Sequence, residues 1–586
     1  MSEPLSDQLK SRDFLLLTGF CAVLFGFSMV SGRPLSVHES VLPQSSREMF
    51  ADRDFIVPKK GGAPWLESPP LPQWVTVGVA SLFGRCDKVW IARMGPTLIS
   101  ACIVLMVAWM AAHWFGRNIG LLSGFIMATT CNFTRYAWLA EDEIYLCGLV
   151  TAAMALFVRL EFTDCPNNPS PGFVRSFLGR RPWLVFAFFV ALGLTNLVKG
   201  LLFGTAMVVI PIAGFLLWNA DLRRIGRYVW LWGWLAFLVI AAAWPVAAYL
   251  RHPDALVVWN FDLGGRLSGD YAAISEPLWY YPVNLLWILA PWTLVIPFGL
   301  WVTRKSALKQ RYSPERFLWC WALLVPAVFS IASGKHHHYL LHCIAPWAVI
   351  ASFGLVRARQ WLLSWPRRAR HPLSGLLTIA LPTIIALVLL RPTLPGPDWI
   401  TNSVILGCPL GAVGLVWLML HKNPRFAARG VFAVLLVTYC FGHSYAGAYV
   451  DKHRKDAAFL EQVRNTVPPA KQLLVDMSVG ALRGFHCMFY LEDDTVALHN
   501  LSFLVDDRIH AETYVVTRYA RLRQLQSIGQ PEVVLQSEKT GGETSAQDRL
   551  TLFHLKYRQD IPRISSAGVQ ISPMQSMYRS EGPFLR

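Results

Sequence analysis

Long apolar runs separated by short polar segments occupy the first three quarters of the chain. The runs are continuous and do not alternate residue by residue, so they predict helices and not strands. A bilayer core needs about 20 apolar residues per helix, and only helices and closed barrels satisfy their backbone hydrogen bonds there. We place about thirteen spanning helices, at residues 14–31, 94–116, 119–133, 144–160, 182–198, 200–218, 228–250, 282–303, 316–334, 339–356, 373–392, 403–420 and 430–450.

The composition supports the same fold class. The chain has 586 residues, of which 54% are hydrophobic and 16% are charged, and its mean hydropathy is +0.38. These values are typical of a polytopic α-helical membrane protein. The first apolar run lacks a small-residue cleavage site, so we interpret it as an uncleaved helix and not as a signal peptide.

The pattern changes after residue 450. The segments QLLVDM, TVALHN, TYVVTRY and TLFHLKY read as strands between short helical pieces. We therefore predict a transmembrane domain over residues 1–450, with a first outer loop at 32–93, and a small soluble α/β domain over residues 451–586. The apolar run that starts at Trp74 is about half the length of a spanning helix, so we place it within the first loop.

Lysine and arginine concentrate in every second predicted loop from residue 175 onward. Cytoplasmic loops are rich in these residues, so the N-terminus is expected in the cytoplasm and the α/β domain outside it. A bacterial inner membrane, with the outer face in the periplasm, fits the lack of any eukaryotic retention signal. Because the same loops supply most of the net charge of +17, we do not interpret the charge as nucleic-acid binding.

Ionisable side chains from separate regions fall on the predicted outer face. Charged groups that border a membrane are costly to place there, so they are functional candidates. Acids beside cations suit the transfer of a group from a lipid phosphate, because cations stabilise the departing phosphate and a carboxylate orients or deprotonates the acceptor. The chain has no phosphate-binding glycine fingerprint after a strand, which favours a lipid-linked donor. The candidates are His38, Glu39, Glu67, Glu141, Asp142, Glu143, Lys199, Asp262, Arg266, Lys335, His336, His337, His338, Tyr339 and His342.

These residues also have structural interpretations. Lys199 and Lys335 could extend to the lipid headgroups, and the acids at 141–143 could favour the N-terminus of the following helix. Consecutive histidines face different sides of a helix, which disfavours a metal site at residues 336–338. The other acids of the first loop are interpreted as solvated surface charges: Glu48, Asp52 and Asp54.

Several motifs resemble those of one family. EMFADRDFIVPKKGGAPWLESPPLPQW is similar to the first outer loop of the C-superfamily membrane glycosyltransferases, in the group of the protein mannosyltransferases and the aminoarabinose (lipid A) transferases. AEDEIYL resembles the second acidic motif of that group, and LVKG resembles its Thr-Lys-Gly segment. SEPLWYYPVNLLWILAPW and GKHHHYLLHCIAPW resemble its Pro-Trp-Tyr and Lys-x-x-x-Tyr regions. The resemblance extends, in order, over roughly residues 10–350.

The resemblance implies an inverting glycosyltransferase. Its donor would be a sugar on a polyprenyl phosphate, and its acceptor a lipid, glycan or protein at the outer face of the inner membrane. Glu39, Asp142 and Glu143 would position the acceptor or act as the base. The implied donor-phosphate residues are Lys199, Arg266, Lys335 and Tyr339, and the implied substrate-binding residues are His38, Glu67, His338 and His342.

Four positions depart from the family pattern. In the second acidic motif Glu143 stands where the family has aspartate, and either Glu143 or the neighbouring Asp142 could serve. His38 stands where the family has aspartate, Ser68 where it has lysine, and Leu263 where it has a metal-liganding histidine that would act with Glu67. We therefore expect no obligatory metal, with a divalent ion as the open alternative. The departures at His38 and Ser68 also keep open a non-catalytic relative that binds a glycolipid. A different alternative is a transporter or flippase for a lipid or glycolipid, in which the outer charges would form a gate or a substrate vestibule; it would need matching charged motifs on the inner side, where the loops are only basic.

Overall fold

The computed structural model describes every candidate residue except Asp262 and Arg266, and Leu263 also lies outside the described residues. Two predicted spans, 373–392 and 403–420, also lie outside the residues that it describes. The described residues are 8–30, 33–162, 182–200, 202–220, 222–260, 276–331, 335–364, 421, 423–453, 456–479, 481–491, 495–498, 512–538 and 546–557.

Helices dominate the described part of the first 453 residues. Their apolar faces bury one large cluster of side chains, which forms the main core. Each predicted span that falls on described residues overlaps a helix. The helices are Ser11–Val30, Val41–Asp52, Leu71–Phe83, Val89–Phe115, Arg117–Ala128, Cys131–Tyr136, Glu143–Phe162, Pro182–Thr195, Phe203–Asn219, Leu222–Arg227, Leu231–Arg251, Tyr280–Ile288, Ile296–Lys309, Pro314–Phe329, Ile344–Ser364 and Pro424–His453.

Several helices have the dimensions of membrane spans. Within the described ranges, 5 helices are long and apolar enough to cross a bilayer, and a bent pair raises the number to 6. The protein is therefore a polytopic α-helical membrane protein. The larger number of spans expected from the sequence stays a prediction.

Two predicted spans are wrong as straight crossings. In place of one straight helix over 282–303, the structure has two helical segments, Tyr280–Ile288 and Trp292–Lys309, with a bend of 108° between them. Pro291 lies in the break and has no N–H to continue the helix. In place of a helix over 119–133, Arg117–Ala128 has only 12 residues. That helix rises about 18 Å, which is less than a bilayer core of about 30 Å.

The first loop is an ordered structure. The helix Val41–Asp52 is followed by a hairpin of β1 (Lys59–Lys60) and β2 (Ala63–Pro64) and by the helix Leu71–Phe83. Gly61 and Gly62 form the turn with φ of 58° and 79°, a combination that favours glycine. The run at Trp74 is thus a short helix, as its length predicted.

Two acids of this loop are not the solvated charges that the sequence suggested. Glu48 accepts hydrogen bonds from the backbone N–H groups of Gly61 and Gly62, at 2.8 and 2.9 Å. Asp54 accepts one from the N–H of Ile56 at 3.1 Å and pairs with Arg251 at 2.8 Å. These acids fix the chain where it turns. Asp52, by contrast, is an exposed partner of Lys59.

A five-stranded sheet follows the helical part. The strands β3 (Gln472–Asp476), β4 (Val496–Leu498), β5 (Glu512–Arg518), β6 (Gly529–Gln536) and β7 (Leu550–Tyr557) lie in the order β4-β3-β5-β7-β6. β3 is parallel to β4 and β5, and β7 is antiparallel to β5 and β6.

The described helices of this region are Asp456–Thr466, Ala481–Tyr490 and Leu522–Ile528, and two apolar clusters form its core. We call residues 456–557 the C-terminal α/β unit. Its predicted strands are confirmed, whereas β6 was missed. Pro531 lies within β6, and proline is tolerated there because β6 is an edge strand.

Candidate active site

A buried acid and a lysine form the centre of the candidate site. Glu143 is the first residue of the helix Glu143–Phe162 and is 6% exposed. Its Oε1 pairs with Nζ of Lys199, from the turn after another helix. The Nε2 atom of His338 lies 3.4 Å from the same oxygen. Three predicted site residues from distant parts of the sequence are thus in direct contact.

The turn that presents Lys199 is fixed by side-chain hydrogen bonds. Asn196 donates from Nδ2 to Oγ1 of Thr205 at 3.0 Å and accepts at Oδ1 from the N–H of Leu202 at 3.1 Å. These bonds close the connection between Pro182–Thr195 and Phe203–Asn219. Lys199 is therefore held by a rigid turn, which favours a site role over a mobile headgroup contact.

A 3₁₀ helix supplies the other wall of the site. It spans His337–Cys343 and brings two histidines four residues apart toward Glu143. His342 is 1% exposed, and its Nε2 lies 3.8 Å from Oε2 of Glu143. Within the described residues, neither ring nitrogen of His342 nor Oε2 of Glu143 has a hydrogen-bond partner. Buried polar atoms of this kind are costly unless a ligand satisfies them.

Of the remaining donor-phosphate candidates, Tyr339 contacts this centre. The ring of Tyr339 lies 5.6 Å from Nζ of Lys199. Lys335 is buried and donates from Nζ to the carbonyl oxygen of Glu276 at 2.6 Å. It is joined to the centre by the short chain segment that leads to Tyr339. Arg266 lies outside the described residues.

The end of the first loop packs against the Lys199 turn. The N–H of Leu71 donates to the carbonyl oxygen of Leu197 at 3.1 Å, and Trp259 donates from Nε1 to the carbonyl oxygen of Leu66 at 2.9 Å. Glu67 lies half-buried between these two anchored positions. The structure thus places the Glu67 segment beside the turn that carries Lys199.

Glu39 forms a separate, buried ion pair. Its carboxylate is 1% exposed and accepts from Arg93, at 3.1 Å from Nε and 3.2 Å from Nη2. It also accepts a hydrogen bond from the N–H of Ser36 at 3.0 Å and one from the N–H of Ala140 at 3.3 Å. Ala140 directly precedes the acids at 141–143, which we call the acidic turn. With both oxygens occupied, this carboxylate connects the first loop to residues 140–143.

Sequence reasoning missed Arg93, the partner of Glu39. Arg93 is fully buried, donates from Nη1 to the carbonyl oxygen of Arg33 at 2.9 Å, and lies 4.7 Å from the ring of Trp138. The available signal was an arginine within an apolar run, because such a charge is a functional candidate. We had placed the span at 94–116, one residue beyond it.

The acidic turn and His38 form the more open side of the site. Nδ1 of His38 lies 3.5 Å from Oε1 of Glu141, and that bond raises the pKa of the imidazole. Asp142 is half-buried, and loss of hydration there raises the pKa of its carboxyl to about 6. A carboxylate with this pKa is still ionised at neutral pH and is a stronger base than an ordinary aspartate.

The described residues provide no donor set for a metal ion. They contain no group of three or more His, Cys, Asp or Glu side chains with the geometry to hold a metal ion. The zinc that the resemblance implies at Glu67 would also lack its histidine, since position 263 is leucine.

Comparisons with known proteins find one family match and several similar transferases. Residues 60–258 match the dolichyl-phosphate-mannose-protein mannosyltransferase family. The undecaprenyl phosphate-alpha-4-amino-4-deoxy-L-arabinose arabinosyl transferase of Aeromonas salmonicida is 27% identical over 382 residues, which are 63% of this chain and 65% of that protein. The match thus spans slightly less than two thirds of that relative. The enzyme of the same name from Enterobacter sp. is 24% identical over 501 residues, which are 81% of this chain and 84% of that protein.

A solved structure shares the fold over most of both chains. The crystal structure of ArnT from Cupriavidus metallidurans bound to undecaprenyl phosphate superposes with a TM-score of 0.70 at 18% identity. It covers 92% of this chain and 97% of that chain. In its sequence matches and in its fold, the chain is therefore similar to the C superfamily of membrane glycosyltransferases, in the protein mannosyltransferase and aminoarabinose transferase group.

Proposed function

We propose that the protein transfers a sugar from a polyprenyl phosphate to a lipid, glycan or protein acceptor, with inversion at the anomeric carbon. The observation that carries the proposal is the contact of Glu143 with Lys199, His338 and His342, directly beside Asp142. This arrangement places the Lys199 cation and a carboxyl base next to each other at one border of the helical core. The relatives named above, which use an undecaprenyl phosphate sugar by name, support this donor class.

The cations form the donor side of the proposed site. When the bond between the anomeric carbon and the phosphate oxygen breaks, negative charge develops on the departing polyprenyl phosphate. Lys199 would stabilise this charge, with Lys335 and Arg266 as further ligands, because fixed cations in a partly dehydrated site stabilise such charge strongly. Glu143 keeps Lys199 in place before the donor binds.

The sugar is proposed to lie against the deeper wall. Oε2 of Glu143 and the ring nitrogens of His342 are buried polar atoms that need hydrogen-bond partners. Hydroxyl or amino groups of a sugar can donate to the carboxylate and exchange hydrogen bonds with the imidazole. Binding of the sugar would therefore satisfy atoms that are costly to leave alone.

Asp142 is the proposed base of the acceptor side. Its carboxyl is half-buried and close to the donor centre, whereas the Glu39 carboxylate is occupied by Arg93 and backbone donors. A hydroxyl acceptor would transfer its proton to Asp142 as its oxygen attacks the anomeric carbon. Glu39 would then position the acidic turn. A phosphate acceptor is already ionised and would need no base.

The reaction is proposed to occur at the outer face of the inner membrane. The basic loops predict that the first loop lies outside the cytoplasm. The C-terminal α/β unit contacts that loop, for example through the 2.7 Å hydrogen bond between Leu35 and Tyr490. This contact supports placing both on the side of the candidate site, which corresponds to the periplasm in the predicted orientation.

The test is transfer in proteoliposomes that contain undecaprenyl phosphate-4-amino-4-deoxy-L-arabinose and lipid A. The proposal predicts release of undecaprenyl phosphate by the wild-type protein, with a loss of at least about 100-fold in Lys199→Met, the range seen when a charge-stabilising group is removed. The matched control is Lys305→Met, which replaces an exposed lysine in the helix Ile296–Lys309. The non-catalytic alternative would be favoured if the wild-type protein bound the donor but released no undecaprenyl phosphate with any lipid, glycan or peptide acceptor.

A further inference from the structure

One helix of the C-terminal α/β unit is attached to the first loop at its last turn. Tyr490, at the end of Ala481–Tyr490, accepts a hydrogen bond at its hydroxyl oxygen from the N–H of Leu35 at 2.7 Å. In the other direction, Arg47 donates from Nη1 to the carbonyl oxygen of Phe489 at 3.1 Å. The arginine satisfies a carbonyl at the helix C-terminus, where cations are favoured.

An apolar contact lies beside these hydrogen bonds. Phe489 is 5% exposed and shares one buried cluster with Leu35, Ala92 and Ala140. Ala92 precedes Arg93, and Ala140 precedes the acidic turn. The aromatic side chain is therefore part of one apolar cluster with the two chain segments that carry the buried ion pair and the proposed base.

The hairpin of the first loop provides a second attachment. The rings of Trp65 and Phe485 meet edge to face, with centroids 5.0 Å apart. Nζ of the buried Lys60 lies 5.4 Å from the first ring and 5.3 Å from the second. Cation–π contacts strengthen when the cation is removed from water, so this attachment is specific as well as apolar.

A short series of bonds leads from this interface into the site. Leu35 is followed by Ser36, whose N–H donates to Oε2 of Glu39 at 3.0 Å. The other oxygen of Glu39 accepts from the N–H of Ala140 at 3.3 Å. The position of residues 35–39 and the position of the acidic turn are therefore set together, and Tyr490 fixes the first residue of the series.

We propose that the C-terminal α/β unit holds the acceptor side of the active site in its reactive position, with Tyr490 as a positioning residue. This inference rests on the proposed function and assigns to the unit a role in the transfer step. The effect would be large for a small displacement, because a misplacement of about 1 Å can cost about 100-fold in rate.

The first experiment needs no turnover. Hydrogen–deuterium exchange of the full chain in nanodiscs is compared for the wild type, Tyr490→Phe and Tyr514→Phe. The control Tyr514 belongs to the same unit but stacks on His554 within the sheet, at 4.9 Å between ring centroids. We expect Tyr490→Phe to exchange about tenfold faster over residues 33–40, which is the effect of losing about one hydrogen bond. Faster exchange is also expected over residues 137–143.

The second experiment separates positioning from acceptor binding. In the proteoliposome assay, Tyr490→Phe is expected to lower kcat about tenfold, while the KM for the acceptor stays within about twofold of the wild type. Tyr514→Phe is expected to change neither quantity. Melting temperatures of both variants show whether the fold is intact, and Arg47→Ala provides a second break of the same interface.

Two results would overturn the proposal. Unchanged exchange over residues 33–40 in both Tyr490→Phe and Arg47→Ala would show that the unit does not hold the loop. A raised acceptor KM with unchanged kcat would instead show that the unit binds the acceptor itself. If the wild type transfers no sugar, the proposed function fails, and the exchange data still decide whether the unit fixes the loop.

Discussion

Asp142→Asn removes the proposed base while it keeps the shape of the side chain. Removal of a general base typically costs about 100-fold to 10,000-fold in rate, and we expect a loss in this range with a hydroxyl acceptor. The measurement is release of undecaprenyl phosphate under single-turnover conditions, so that product release does not limit the rate. The control is Asp52→Asn, since Asp52 is an exposed partner of Lys59 in the first loop.

The pKa of Asp142 gives this prediction a second, independent readout. Burial raises that pKa to about 6 from an ordinary value of 3.8. The carboxyl group is then about nine-tenths ionised at pH 7 and about one-tenth ionised at pH 5, so the wild-type rate should fall about tenfold between these pH values. An aspartate with an ordinary pKa would remain more than about nine-tenths ionised at pH 5.

The same pKa predicts the effect of the substitution on stability. A carboxyl group whose pKa is raised by folding binds its proton more tightly in the folded state, so stability is lost as the pH rises from about 4 to about 6. Asp142→Asn should therefore raise the melting temperature at neutral pH or leave it unchanged, which separates lost catalysis from unfolding. A variant that keeps more than a third of the rate, together with a flat wild-type profile between pH 5 and pH 7, would refute the base assignment.

Substitutions at three positions test the scaffold and the donor side. Arg93→Met should lower the free energy of unfolding by about 3 to 5 kcal/mol, since it leaves the Glu39 carboxylate buried without its cation. Arg93→Lys should restore part of that loss in thermal melts, and equal stability of both variants would contradict the buried-pair account. Lys199→Met should weaken undecaprenyl phosphate binding at least about tenfold in a titration, as one charged hydrogen bond to phosphate is lost; unchanged binding would remove Lys199 from the donor site. Gly61→Ala should lower the melting temperature, because the φ of 58° strains any residue with a Cβ atom, and an unchanged melting temperature would contradict this turn geometry.

The helical core could be predicted from the sequence because its signal is local. Continuous apolar runs identify spanning helices, and the alternating segments after residue 470 identify most strands of the C-terminal α/β unit. The errors occur where a tertiary effect overrides the local pattern. Pro291 breaks a run that reads as one helix, and Pro531 is tolerated in a strand only because that strand is at a sheet edge.

The candidate site could be predicted from the sequence only in part. The resemblance of the motifs selected Glu143 and Lys199, and the structure shows that they are in contact. The resemblance gave no indication of the contact between Glu39 and Arg93, which are 54 positions apart in the chain. The function of a carboxylate depends on such partners, so only the structure could distinguish a base from a residue that holds the site together. Glu48 is a similar case, because its backbone partners are set by a glycine turn.

The most direct test of the donor class is mass spectrometry of the lipids that co-purify with the gently extracted protein. The wild type is compared with a Lys199→Met/Lys335→Met double variant and with the Lys305→Met control, after melting temperatures have shown that all three are folded. We predict a bound polyprenyl phosphate or its sugar ester in the wild type and the control, with a depletion of at least about tenfold in the double variant. The absence of such a lipid from all three proteins, or equal amounts in all three, would contradict the donor site at Lys199 and Lys335.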